Sequence, residues 1–347
     1  MKIIINILAL LLLAGCQNQK SKKMQEEKNF SWSASVTSIK DYPIEVHTGY
    51  LATKKEFITA FRNNGIEKKG WQVEGTEGGA GGNQIPTLLS LTWLSYAEKK
   101  FWLLDEVSLP ADKIQALFQE GFYNTDRVSN QPVHETYEHI VVAVAPGGVA
   151  VVFLTGNYHR VELARYQAKE TAVEVDDFMP RPGLYKNTKE FLDDYYNDKE
   201  FIKPSLKEKI KKDGIPYGLW DTYRNRYNWR FDVQFYKEED KLTDPLAIEY
   251  INGESVIFKL GDEEKFKNHA LPKEATFYYK DHWNEATFNE AEIVAAFKKV
   301  TQGNPEAEVI IVAKVEFMYK GVILTVKCGD NEVLLKKVVV ENGGYGR

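Results

Sequence analysis

Ile140-Val141-Val142-Ala143-Val144-Ala145-Pro146-Gly147-Gly148-Val149-Ala150-Val151-Val152-Phe153-Leu154 decides the fold class. Two apolar runs rich in β-branched residues flank Pro146-Gly147-Gly148, and that composition predicts two antiparallel strands joined by a tight turn. Downstream, Val161 to Arg165 reads as another short strand. Upstream, Leu109-Pro110 followed by Ile114, Leu117 and Phe118 on one face predicts a helix with proline in its first turn.

Further upstream the period is two. Phe30 to Val36 alternates apolar and small polar residues, Asp41-Tyr42-Pro43 breaks the run, and Ile44 to Thr48 resumes it. Phe57 to Phe61 fits a short helix or a strand. Gly75-Thr76-Glu77-Gly78-Gly79-Ala80-Gly81-Gly82-Asn83 reads as a loop by composition. Ile85-Pro86 opens a strand from Leu88 to Tyr96, a charged turn follows at Glu98-Lys99-Lys100, and Phe101 to Leu104 returns.

The order of features then recurs. Trp32 to Val36 is answered by Trp229 to Val233, Tyr42-Pro43-Ile44 by Asp244-Pro245-Leu246, and Ile85-Pro86 by Leu271-Pro272 with its own strand, Ala275 to Tyr279. The helix Ile114 to Phe118 is answered by Ile293 to Phe297, and the strand Val149 to Gly156 by Val322 to Gly329. Five matches in one order predict a duplication: two related α+β domains, each a mostly antiparallel sheet with a covering helix. Between them, residues 176–227 carry Pro180, Pro182, Pro204 and Pro216, with short helices expected at Phe191 to Tyr196 and Ser205 to Lys212. The expected division is a signal at 1–15, a lipidated cysteine and tether at 16–29, domains at 30–175 and 228–347, and a connection at 176–227.

At 347 residues the chain exceeds what one core usually holds. Its 45 basic and 50 acidic residues, less Lys2 after cleavage, leave a charge of −6. That mild acidity argues against nucleic acid as a partner, which wants a basic face.

The N-terminus carries an address. Lys2 precedes the apolar run Ile3 to Leu13, which is too short for the roughly 20 residues that span a bilayer. Leu13-Ala14-Gly15-Cys16 closes it and resembles the bacterial lipobox. The Cys16 thiol is the expected site of diacylglyceryl attachment. Each buried methylene contributes about 0.8 kcal/mol, and more than one chain makes anchoring stable. By resemblance to the sorting of such proteins, Gln17 after the cysteine implies the outer membrane; it does not set the leaflet, and a periplasm-facing protein is the expectation. Gln17 to Asn29 is polar, lacks apolar periodicity and reads as a disordered tether; fully extended, such a stretch reaches about 45 Å. With Cys16 acylated, Cys328 has no intramolecular partner and reads as a small, half-buried strand residue.

Catalytic signatures are sparse. His134-Glu135-Thr136-Tyr137-Glu138-His139 nearly spells a zinc protease motif, but its histidines are five apart rather than four. They fall on opposite flanks of a helix or faces of a strand, so no metal, cofactor or catalytic residue is expected. Gly-x-Ser-x-Gly is absent, and the Gly75 to Gly82 stretch lacks the Gly-Lys-Ser/Thr ending of a phosphate cradle. An acid pair distant in sequence stays open as a hydrolase reading. Aromatics make up 13% of the chain and are densest from Gly214 to Trp229. There Trp220, Tyr223, Arg224, Arg226 and Trp229 are the candidate ligand-binding residues, by stacking or pairing. Arg224 and Arg226 serve equally well to knit the connection onto the second domain.

The lipobox, Trp32, Tyr42-Pro43, the Ile85-Pro86 strand, Leu109-Pro110 and the Gly214 to Trp229 run together resemble the bacterial lipoproteins catalogued as domain of unknown function 2931. The resemblance extends over most of residues 30–345 and brings no catalytic residues with it. Lipoproteins of this general sort include immunity proteins encoded beside secreted antibacterial effectors. The expectation is therefore a membrane-tethered, protein-binding module whose partner is a secreted effector. An envelope glycan held by exposed aromatics is the alternative, and a hydrolase the third.

Overall fold

A computed structural model of the chain describes residues 31–62, 65–67, 70–126, 131–304 and 306–344. The signal, Cys16 and the tether lie outside them. The fold is α+β, built mostly from antiparallel sheets. The first half runs β1 (Trp32–Ser38), β2 (Ile44–Ala52), β3 (Phe57–Ala60), β4 (Ile66–Glu67), β5 (Thr76–Gly82), β6 (Leu88–Ser95), β7 (Lys100–Ser108) and α1 (Ala111–Glu120). After the helix come β8 (Phe122–Thr125), β9 (Pro132–Glu135), β10 (His139–Ala145), β11 (Val149–Gly156), β12 (His159–Gln167) and β13 (Lys169–Thr171). The connection holds α2 (Val175–Phe178), α3 (Thr188–Asn197), α4 (Pro204–Asp213) and α5 (Leu219–Thr222).

The second half runs β14 (Tyr227–Gln234), β15 (Leu242–Tyr250), β16 (Ser255–Ile257), β17 (Lys267–His269), β18 (Pro272–Tyr279), β19 (His282–Thr287) and α6 (Glu290–Thr301). It ends with β20 (Val309–Val315), β21 (Val322–Cys328), β22 (Asn331–Leu334) and β23 (Val339–Gly344).

The Ile140 to Leu154 stretch is the hairpin β10–β11, with Val144 opposite Ala150. Its turn needs glycine twice: Gly147 and Gly148 have φ of +84° and +70°, a region that penalises a Cβ. Both strands are buried along nearly their whole length, because each face is covered.

The same topology occurs in both halves. β1 pairs in parallel with β10, and β14 in parallel with β20. β5 and β17 flank those first strands on the other side, antiparallel. β2, β6 and β7 form one antiparallel run, and β15, β18 and β19 its counterpart. One hydrogen bond marks the shared register. Trp32 donates its indole N–H to the Gln84 carbonyl at 2.9 Å, and Trp229 donates to the Ala270 carbonyl at 3.0 Å. Each acceptor stands two residues before the matched proline, Pro86 or Pro272. Pro245 sits where the ladder of β15 with β18 is irregular, which spares it a ladder hydrogen bond.

Two cores result. One unites Trp229, Phe231, Phe277, Phe297 and their neighbours in the second half. The other unites Tyr42, Tyr96, Phe101, Val151 and Phe153 of the first half with Phe178, Phe191, Ile202, Leu206 and Trp220 of the connection. Ser31–Arg347 nonetheless form one compact unit. A ten-stranded sheet runs through both halves, joined where β12 meets β16 at the pair Arg160 and Ser255.

One expectation is overturned. The stretch Gly75 to Asn83 is not a loop but contains β5, paired with β1. Its glycines mark close approach rather than slack: a Cβ at Gly81 would stand 2.1 Å from the Trp32 ring, and one at Gly79 2.1 Å from Thr59 Oγ1. Phe57 to Phe61 resolves as the strand β3, and the two expected connection helices are α3 and α4.

Candidate functional site

Of the five residues singled out in the sequence, Trp220 and Trp229 lie in different cores, while Tyr223, Arg224 and Arg226 tie the connection to the two halves. Trp220 is buried and meets Tyr42 edge-on, with ring centroids 5.6 Å apart. Trp229 is buried in the second core. Tyr223 donates its hydroxyl to Glu290 at 2.7 Å, and burial, aided by that carboxylate, pushes the phenol above its ordinary value. Arg224 donates to both Glu162 oxygens from Nε at 3.0 Å, and Nη2 reaches Oε1 at 2.6 Å. Arg226 pairs with Glu254, whose other oxygen accepts from the backbone N–H of Glu162 at 3.1 Å. The two carboxylates are only 11% and 12% exposed, so these pairs are shielded ties between the halves. These rings and charges fasten the connection to the two halves.

Comparison of the two matching topologies points to a different site. In the first half the β10–β11 turn is covered. Tyr217 lies over Gly147, and Glu98 accepts from the Gly147 N–H at 2.9 Å. In the second half the corresponding hairpin tip, between β20 and β21, is Glu316-Phe317-Met318-Tyr319-Lys320-Gly321. Where the first half uses glycine, Met318 and Tyr319 take φ of +55° and +57°. Left-handed backbone costs a side-chain-bearing residue roughly 1–2 kcal/mol. Such strain persists only where the surroundings impose it, and it clusters at functional sites. Here the tip presents Phe317 and Met318, each 61% exposed.

Tyr319 is what holds the tip. Its hydroxyl donates to Asp240 Oδ2 at 2.6 Å. Its ring stacks on His282, with centroids 5.2 Å apart, and Lys280 Nζ stands 4.8 Å above it. Lys280 also lies 2.6 Å from Asp240 Oδ1. Burial alone would raise the Asp240 carboxyl, but the bonds from Lys280 and Tyr319 outweigh it and hold the group below its ordinary value. A carboxylate held ionised is a poor general acid, so Asp240 serves as a buried anchor. Tyr236 extends the surface, meeting Phe317 edge-on at 5.0 Å.

Beside the tip opens a cleft of about 710 Å³. Phe231, Val233, Phe235, Leu242 and Leu260 wall it, and Asp240 and Glu263 reach it from buried positions. Tip and cleft share the buried Asp240, which sets them side by side at one end of the second half. Sequence reading missed this surface. The signal was present: laying the repeat on itself puts Phe317-Met318-Tyr319 where Pro146-Gly147-Gly148 stands, and aromatic residues at a glycine turn are anomalous.

The near-motif histidines part company. His134, in β9, lies 2.8 Å from the Glu120 carbonyl, and His139, in β10, lies 2.6 Å from Ser33 Oγ. Among the described residues no group of three His, Cys, Asp or Glu side chains is placed to hold a metal ion. Among them, too, no helix is long and apolar enough to cross a membrane. Cys328 is a free, half-buried thiol at the end of β21.

No curated protein and no solved structure matches the chain. A family model described as "Protein of unknown function (DUF2931)" matches residues 17–218, the first half and most of the connection, and stops short of the second half. That span is more than half of the chain, which belongs to this family of proteins of unknown function.

Proposed function

We propose that the protein is a lipid-anchored, protein-binding module of the cell envelope, and that the open end of its second half is the contact surface. The observation that carries this reading is the strained tip, where Tyr319 is locked inward so that Phe317 and Met318 stand out. Exposed aromatics and methionine on a rigid support are the composition of protein hot spots. Neutralisation of a secreted antibacterial effector is the specific task proposed. Acylation at Cys16 would keep the binder at the outer membrane, facing the periplasm, where an incoming effector must be met.

A glycan partner is less well supported. Six of the seven tryptophans are buried and Trp283 is half-buried, so no open tryptophan platform stands ready for a sugar ring.

Two experiments test the proposal. Radioactive palmitate should label the wild-type chain and not Cys16→Ser; an unlabelled, freely soluble wild type would end the anchoring claim. Co-expression with the product of an adjacent secreted-effector gene should yield a complex that Phe317→Asp with Met318→Asp abolishes. A complex indifferent to those two substitutions would move the contact surface elsewhere.

A further inference from the structure

Glu263 lines the cleft and is 6% exposed, yet its Oε2 has no hydrogen-bond partner. An ionised carboxylate out of water is costly unless a charge or donor meets it, and an orphan of this kind needs an explanation. Lys265, two residues along the chain, makes its own hydrogen bond to Asp262 and is largely exposed. The other buried carboxylate of the cleft, Asp240, is already neutralised by Lys280. Glu263 Oε2 is thus an unsatisfied buried acceptor in a chamber lined by Phe231, Val233, Phe235, Leu242 and Leu260, with Lys241, Thr243 and Glu264 also on its wall.

We propose that this cleft binds an organic ammonium, a primary amine carried on an apolar stem. The amine would donate to Glu263 Oε2, and the stem would lie against Val233, Leu242 and Leu260. Phe231 and Phe235 line the same cleft, and aromatic rings attract a cation. Of the two buried carboxylate oxygens of the cleft without a hydrogen bond, Asp240 Oδ1 has Lys280 Nζ at 2.6 Å, which leaves Glu263 Oε2. A single acceptor suits the point charge of an ammonium better than the two-pronged guanidinium. A volume of about 710 Å³ lies within the usual range for small-molecule sites. The inference stands on Glu263 and the cleft walls, and does not depend on protein binding at the tip.

Calorimetric titration with pentylammonium, N-acetyl-lysine amide and neutral 1-pentanol tests it. Saturable binding of at least one of the two ammonium probes is expected, with 1-pentanol and the Glu263→Gln variant each weaker by about tenfold or more. Stronger binding of the lysine derivative than of pentylammonium would identify a protein side chain as the natural source, and the reverse order a free amine. No saturable ammonium binding up to about 10 mM, or equal binding of 1-pentanol, would overturn the proposal and leave Oε2 to ordered water. Equal binding by Glu263→Gln would overturn it too. The comparison of ammonium with alcohol uses wild-type protein alone, so it stands even if the variant fails to fold.

Discussion

Tyr319 donates its hydroxyl to Asp240 at 2.6 Å across 79 positions of sequence, and this bond ties a strained hairpin tip to the loop that precedes β15. The Asp240 side chain is 1% exposed, so no bulk water replaces a lost donor. Tyr319→Phe should lower unfolding free energy by about 1–3 kcal/mol, the cost of leaving a buried acceptor short of a partner. Denaturant titration measures that loss, and hydrogen exchange should show faster opening across residues 316–321. An unchanged midpoint would mean that the tip is held by ring packing alone.

Met318 occupies a conformation that glycine adopts freely. Met318→Gly relieves local strain and loses little packing, since the side chain is mostly exposed. The expected outcome is a melting temperature equal to or above wild type, together with weaker partner binding. Stability and binding should move apart, as they do where strain serves function. A clear fall in melting temperature would show that Met318 packs for stability instead.

Gly81 faces the Trp32 ring so closely that a Cβ would stand 2.1 Å from it. Gly81→Ala should destabilise by roughly 1–3 kcal/mol, the usual cost of overpacking. A change within error would return the Gly75 to Gly82 stretch to slack loop.

Acid should weaken the fold through its buried histidines. His159 stacks on Phe122 at 4.1 Å between centroids, and burial pulls its pKa down to about 4. His269 stacks on Tyr250, and burial likewise pulls it down to about 4. The unfolded chain protonates near 6.5 and the folded one near 4, so the unfolded state binds more protons in between. Stability is therefore full above pH 6.5 and falls as pH drops toward 4, by roughly 3 kcal/mol for His159. Unfolding titrations of wild type and His159→Phe across that window should show a shallower acid limb in the variant. Parallel limbs would remove His159 as a cause.

Much of the architecture was legible because it rests on local chemistry. Gly147-Gly148 between apolar runs specifies a hairpin, and Leu109-Pro110 a helix start. The matched Trp32 and Trp229 each donate an equivalent hydrogen bond, to the residue two before Pro86 and Pro272 respectively. Composition misled at Gly75 to Asn83, because glycine serves close packing as well as freedom, and only the Trp32 ring distinguishes the two. The site was less legible. Trp220 and Arg224 attract attention by type, but what a tryptophan or arginine does depends on what meets it. Glu162 and Tyr42, which do so here, are distant in sequence. Asp240, Glu263 and Tyr319 come together only in the folded chain, so their spacing carries no motif.

The central claim is that the open end of the second half makes contact with a protein. Its most direct measurement is quantitative capture, from the producing cell's own envelope and secreted fractions, by immobilised wild type and by the Phe317→Asp, Met318→Asp variant. A discrete partner should be retained by wild type and reduced about tenfold or more by the variant, with the variant's melting temperature unchanged. Equal retention by both proteins would contradict the account.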